Sequence, residues 1–82
     1  MVSVKVLFFA TLRDRVGQRQ VDLDLTEETT VAGLKAALLE KYPGLKENLP
    51  TVLIAVNHEY AFDDTVVPGG AEVALFPPVS GG

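Results

Sequence analysis

The sequence predicts an α+β fold in which a mixed β-sheet packs against one main helix. Residues 2–8 place a valine or phenylalanine at every second position, which is the period of a β-strand. Residues 31–42 instead carry apolar side chains at spacings of three and four, which is the period of an amphipathic helix. Two further apolar segments, 52–56 and 72–76, then complete the order β-β-α-β-(β)-β.

The first two strands are predicted to pair as an antiparallel hairpin. Residues 2–9 form the first strand, and residues 21–25 alternate apolar side chains with Asp22 and Asp24, which gives the second strand one solvated face. Arg13, Asp14, Arg15 and Gly17 break the alternation and are predicted to form a polar connection between the two strands. Strands separated by so short a connection pair most simply as antiparallel neighbours.

The helix has recognisable ends. Thr30 is its predicted N-cap, because a threonine hydroxyl can accept a free amide hydrogen of the first turn. Val31, Leu34, Leu38 and Tyr42 form its apolar stripe. Pro43 and Gly44 are predicted to end it, since proline cannot continue a helix and glycine tolerates a left-handed cap.

The second half of the chain is predicted to supply the remaining strands. Residues 52–56 are a continuous apolar run, typical of a strand covered on both sides. Residues 57–59 and 68–70 read as turns, residues 60–62 as a short return strand, and residues 72–76 as the last strand, which Pro77 and Pro78 terminate. This order predicts a β-grasp, or ubiquitin-like, arrangement. We expect residues 1–82 to form that single domain, with a flexible C-terminal tail from about residue 78.

Composition excludes several classes of function. The chain has no cysteine, which removes disulfides, thiolate metal sites and cysteine nucleophiles. Seven Lys and Arg against 11 Asp and Glu give a net charge of -4, which argues against nucleic acid as a partner. His58 is the only histidine, so neither a metal site nor a serine-histidine-acid arrangement is expected. We expect no bound cofactor.

The start of the chain indicates no targeting or membrane segment. Its longest apolar stretch, residues 6–10, is too short to span a bilayer, and no small-residue cleavage site follows it. We therefore expect a cytoplasmic protein without a membrane partner.

The C-terminal segment contains the candidate reactive group of the chain. It reads Phe76-Pro77-Pro78-Val79-Ser80-Gly81-Gly82. The prolines limit the conformational entropy that the segment loses when an enzyme binds it. The two glycines have no Cβ atoms, so an enzyme can enclose their backbone in a narrow tunnel. The candidate reactive group is the carboxylate of Gly82, which needs activation by a nucleotide before sulfide or a thiol can attack it. A frayed terminus is the alternative for a Gly-Gly end alone, but the prolines and the preceding sheet favour function.

The sequence resembles one known family, the small sulfur-carrier subunit of molybdopterin synthase. The matching blocks are residues 5–10, residues 55–57 and residues 72–82, together with Arg13 and Gly17. They span nearly the whole chain, and the terminal block is the most specific of them.

The resemblance implies a defined role. Gly82 would be adenylated by a ubiquitin-activating-type adenylyltransferase that uses ATP in trans, and then converted to a thiocarboxylate. The carrier would dock onto the large synthase subunit, in an assembly of two small and two large subunits, and give sulfur to cyclic pyranopterin monophosphate. Two rounds build the dithiolene of the molybdenum cofactor. The chain would not be an enzyme on its own, because the acid and base residues would lie on the large subunit.

Strand alternation makes an independent prediction about the docking surface. If Val4, Val6 and Phe8 point inward, then Phe9 and, by the same logic, Phe76 lie on the outer face. Exposed aromatic side chains near a reactive tail indicate an interface. The resemblance agrees, and it places the partner contacts at Arg13, Phe9, Tyr60, Phe76, Val79, Ser80 and Gly81. For Arg13 a solvated loop charge is the alternative.

Other functions stay open at this point. The chain could be a β-grasp carrier for another sulfur pathway, such as thiazole, cysteine or tRNA thiolation, although the aromatic-Pro-Pro block and the length argue against the thiazole carrier. It could also be a ubiquitin-like modifier joined through Gly82 to a lysine of a target protein, or an inert interaction domain.

Overall fold

The computed structural model describes residues 1–78 and contains a five-stranded mixed sheet with one main helix. The sheet order is β2-β1-β5-β3-β4. The strands are β1 (Val2–Phe8), β2 (Gln20–Leu25), β3 (Leu53–Val56), β4 (Glu59–Tyr60) and β5 (Glu72–Phe76). The helices are α1 (Thr11–Val16) and α2 (Val31–Lys41), and short 3₁₀ turns follow at Pro43–Leu45 and Leu49–Thr51. The predicted α+β, β-grasp class is confirmed.

The sheet is organised around the parallel pair of β1 and β5. Val6 lies opposite Val73 in that pair, and opposite Val21 in the antiparallel hairpin that β1 forms with β2. The predicted hairpin is therefore confirmed. A parallel pair needs a long connection between its two strands. The chain between β1 and β5 is long, and it includes α2.

One face of the sheet packs against α2 to form the core. The inward side chains of the strands and the stripe of the helix belong to a single buried cluster, whose members include Val4, Val6, Phe8, Leu23, Leu34, Leu38, Ile54, Val73 and Leu75. Each such side chain contributes roughly 1.5–3 kcal/mol of transfer free energy when it is buried. The opposite face of the sheet is hereafter called the outer face.

Both ends of α2 lie where they were predicted, with Thr30 as N-cap and the helix ending before Pro43, but the geometry of the C-terminal end differs from the prediction. The Gly33 N–H donates to the Thr30 hydroxyl over 3.3 Å, as expected for an N-cap. At the other end the prediction that Gly44 forms a left-handed cap is wrong. The Tyr42 N–H donates to the Leu38 carbonyl, and Gly44 lies inside a 3₁₀ turn that keeps the chain right-handed. The buried side chain of Leu45 anchors this turn.

We predict that Thr30→Ala lowers the free energy of unfolding by about 1 kcal/mol, because the Gly33 N–H loses its acceptor. Thr30→Ser is the matched control, since it retains the hydroxyl and should recover most of the loss. Urea unfolding followed by circular dichroism measures both. Equal destabilisation by serine and alanine would show that the cap hydrogen bond contributes nothing.

The connection between β1 and β2 carries the predicted exposed polar side chains, but it is helical, and this helix was not predicted. Residues Thr11–Val16 form α1, whose Leu12 is fully buried in the core. Gly17 ends α1 in the left-handed region at φ 81°, and its N–H donates to the Arg13 carbonyl over 2.8 Å. A six-residue helix is too short to form on its own propensity, and α1 is held by the buried Leu12 and by Val16, which packs partly buried against the core.

The predicted turn after β3 is present and is tied to β5. Asn57 and His58 adopt positive φ values of 50° and 71°, which a tight hairpin turn requires. The Asn57 side-chain oxygen accepts from the Glu72 N–H over 2.9 Å, and the Asn57 N–H donates to the Glu72 carbonyl over 2.8 Å. This pair of bonds fixes where β5 begins.

The longest helix of residues 1–78 has 11 residues, and none of the helices there is long and apolar enough to cross a membrane.

Candidate functional site: an apolar face beside the chain exit

One edge of the sheet brings together residues from distant parts of the chain. Because β1 and β5 are parallel, their carboxyl ends lie at the same edge, where Phe8 is opposite Leu75. β3 runs antiparallel to β5, so its first residue, Leu53, also lies there, opposite Phe76. The chain leaves the sheet at Pro77 and Pro78, which follow β5 directly. We call this the exit edge.

Apolar side chains cover the half of the outer face that adjoins the exit edge. The rings of Phe9 and Phe76 stack with their centroids 4.7 Å apart and their planes 11° from parallel. Leu53 lies beside Phe76 and is 38% exposed, while Phe9 is 41% exposed. The next row across the sheet completes the group, which we call the outer patch: Leu7, Phe9, Leu53, Ala55, Tyr60, Ala74 and Phe76.

A row of charged side chains borders the outer patch on the side away from the exit edge. Lys5 lies opposite Asp22 on β2 and opposite Glu72 on β5. The exposed His58 Nε2 is 3.4 Å from the Glu72 Oε1. The apolar surface is therefore confined to the exit half of the face, so a partner that covers it also meets the emerging chain.

Among the predicted contact residues that lie within residues 1–78, Phe9 and Phe76 touch each other, and Tyr60 and Arg13 lie farther from the pair. Phe9 and Phe76 form the stacked pair. Tyr60 belongs to the same face but lies two strands from Phe76, on the edge strand β4, and is 76% exposed. Arg13 is exposed on α1 and shares a groove with Phe9. The predicted site residues Val79, Ser80, Gly81 and Gly82 lie outside the described residues.

Leu53 was not predicted to belong to this surface. The apolar run 52–56 indicated a strand covered on both sides, and for Leu53 that prediction is wrong, because it lies on the outer face at the exit edge. Ile54 and Val56 do face the core. The signal that would have identified Leu53 is its register opposite Phe76, and a continuous apolar run does not reveal register. Arg19, which lines the same groove as Arg13, was likewise not predicted.

Residues 1–78 contain no group of three or more His, Asp or Glu side chains that could hold a metal ion. What they bring together is an apolar surface next to the point at which the chain leaves the sheet. A partly exposed aromatic pair of this kind contributes large contact area at little cost in conformational entropy, which suits recognition of another protein.

The chain matches a known family over nearly its whole length. The model of the ThiS family covers residues 6–82. This chain belongs to the ThiS family.

Curated relatives of this ThiS-family chain extend over its full length. The molybdopterin synthase sulfur carrier subunit of Caenorhabditis elegans is 38% identical over 84 residues, which cover 100% of both chains. The molybdopterin synthase sulfur carrier subunit of Arabidopsis thaliana is 36% identical and covers 99% of this chain and 84% of its own.

Solved structures share the fold of this ThiS-family chain. Small archaeal modifier protein 1 of Haloferax volcanii superposes with a TM-score of 0.89 at 28% identity and covers 96% of this chain and 100% of its own. A chain from the complex of subunits 1 and 2 of the molybdopterin-converting factor of Helicobacter pylori superposes with a TM-score of 0.68 at 28% identity, covering 98% and 99%.

Proposed function

We propose that this chain is the sulfur carrier subunit of a molybdopterin synthase. The observation that carries the proposal is the family match, which includes the terminal Gly-Gly, together with full-length relatives of that name. The structure supports it physically, because the outer patch gives a partner protein a place to bind beside the emerging C-terminal segment.

The reactive group in this proposal is the carboxylate of Gly82. Its charge is delocalised over two oxygens, which makes it a poor electrophile. A ubiquitin-activating-type adenylyltransferase would join one oxygen to the α-phosphate of ATP and release pyrophosphate. Attack by sulfide on the acyl carbon would then form the C–S bond, expel AMP and leave a thiocarboxylate on Gly82. ATP is thus used in trans, and the carrier itself needs no bound cofactor.

The large subunit of the synthase is the proposed receiving partner. The outer patch would bind it, and residues 79–82 would extend from Pro78 into its active site. Four residues span at most about 13–14 Å when extended, so the active-site opening must lie close to the docked exit edge. The sulfur acceptor would be cyclic pyranopterin monophosphate, and the general acid and base would come from the large subunit.

Intact-mass measurement tests this proposal. The purified chain is incubated with the cognate adenylyltransferase, ATP and a sulfur donor, and we expect a mass gain that corresponds to exchange of one oxygen for sulfur. Addition of the large subunit and the pterin substrate should then reverse the gain and form product. If no sulfur is gained while the adenylyltransferase hydrolyses ATP in the presence of the chain, the proposal is wrong.

A second candidate function is protein modification, which is raised by the likeness to small archaeal modifier protein 1 but is less well supported than the carrier function. In that case Gly82 would form an amide with a lysine of a target protein. The same activation reaction in cell extract distinguishes the two functions, because a modifier accumulates in covalent conjugates that survive denaturation and reduction, whereas a carrier is recovered as the free thiocarboxylate.

A further inference from the structure

A groove beside the outer patch contains two of the three arginines of the chain. Its volume is about 370 Å³, and it is lined by Leu7, Phe8, Phe9, Arg13, Arg19 and Gln20. Arg13 comes from α1 and Arg19 from the turn that precedes β2, so two separate segments bring guanidinium groups to one opening. β1 supplies the apolar wall of the groove.

The two guanidinium groups have no carboxylate partner within the part of the chain that the structure describes. Both arginines are exposed. Among residues 1–78 the ion pair found joins Lys35 to Asp63, and the other close contact between a basic and an acidic side chain is that of His58 with Glu72, so neither involves Arg13 or Arg19. Asp22, the nearest acidic residue along β2, belongs to the charged row on the far side of Leu7. The groove is therefore locally positive, although the chain carries a net charge of -4.

We propose that this groove receives an acidic segment of the synthase large subunit. A guanidinium group recognises a carboxylate through two parallel hydrogen bonds, and the apolar wall would bind the aliphatic part of the same segment. A small inorganic anion would leave that wall exposed. The inference rests on the proposed function, since it takes the large subunit as the partner.

The position of the groove favours a protein segment as its occupant. Leu7 and Phe9 line the groove and also belong to the outer patch, so the two surfaces are continuous. A partner that covers the stacked Phe9 and Phe76 rings therefore extends over the groove. Charged pairs at the margin of an apolar interface fix its register and accelerate encounter.

Charge reversal of single arginines tests the inference, and Arg15 supplies the matched control. Arg15 is exposed on the same helix as Arg13 but does not line the groove. We expect Arg13→Glu and Arg19→Glu each to raise the Kd for the cognate large subunit about 10- to 100-fold. Arg15→Glu should change it less than about threefold in 0.15 M salt, where charges beyond about 8 Å are screened.

The substitutions should leave the fold intact, because only main-chain atoms of these arginines make hydrogen bonds within residues 1–78. The Arg19 carbonyl accepts from the Phe8 N–H, and the Arg13 carbonyl accepts from the Gly17 N–H. Thermal unfolding of each variant checks this point. Titration calorimetry at two salt concentrations then gives the Kd, and loss of a groove arginine should also flatten its salt dependence.

Three outcomes would overturn the inference. Equal weakening by all three charge reversals would show a general effect of net charge, and unchanged affinity in the groove variants would show that the groove is not contacted. If the effect disappears when Gly81 and Gly82 are deleted, the groove serves the chain's own C-terminal segment. None of these results affects sulfur transfer by the unaltered chain, whereas failure of the unaltered chain to bind the large subunit would overturn the proposed function itself.

Discussion

One alanine added after Gly82 is expected to abolish thiocarboxylate formation. The added residue moves the terminal carboxylate by up to about 3.3–3.6 Å and puts a Cβ where the proposed tunnel admits only backbone. A displacement of about 1 Å can already cost about 100-fold in rate, so loading should fall at least that far. Intact mass after incubation with the adenylyltransferase, ATP and a sulfur donor measures the loss.

The matched control is one alanine added before Met1, whose side chain is 85% exposed. That variant should be loaded at the rate of the unaltered chain. Thermal unfolding of both variants checks that a change in loading does not come from loss of the fold. Sulfur transfer by the C-terminally extended chain, with its added alanine still present in the mass spectrum, would exclude Gly82 as the reactive group.

The positions of β1, β2 and α2 along the chain were predictable because each of these elements has a clear period. β1 and β2 alternate strictly, and Thr30 marks the start of α2 by its capping chemistry. α1 was not predictable in this way, since it spans fewer than two turns and has one buried anchor, Leu12. Local pattern therefore identifies long elements well, and short ones depend on the tertiary contacts of single residues.

The candidate site was partly predictable for a similar reason. Strand alternation placed Phe9 and Phe76 on the outer face, and the structure confirms that both lie there in contact. Leu53 and Arg19 join them only through the pairing of β3 with β5 and of β2 with β1. Such contacts depend on register between distant segments, which a single sequence does not specify.

Removal of either stacked ring is expected to weaken binding of the large subunit strongly. Phe9 and Phe76 lie at the exit edge, where the proposed partner must close around the chain. Aromatic side chains at the centre of an interface typically contribute 2 kcal/mol or more, so Phe9→Ala and Phe76→Ala should each raise the Kd by about 30-fold or more. Titration calorimetry with the cognate large subunit measures the effect.

Leu39→Ala is the matched control for surface truncation, because Leu39 is 36% exposed, close to the 41% of Phe9, but lies on α2 rather than on the outer face. It should leave the Kd unchanged. The double variant of Phe9 and Phe76 should lose less affinity than the two single losses combined, since each ring orients the other and the pair is worth about 0.5–1.5 kcal/mol. Additive losses would show two independent contacts, and unchanged affinity in both single variants would mean that the partner binds elsewhere on the molecule.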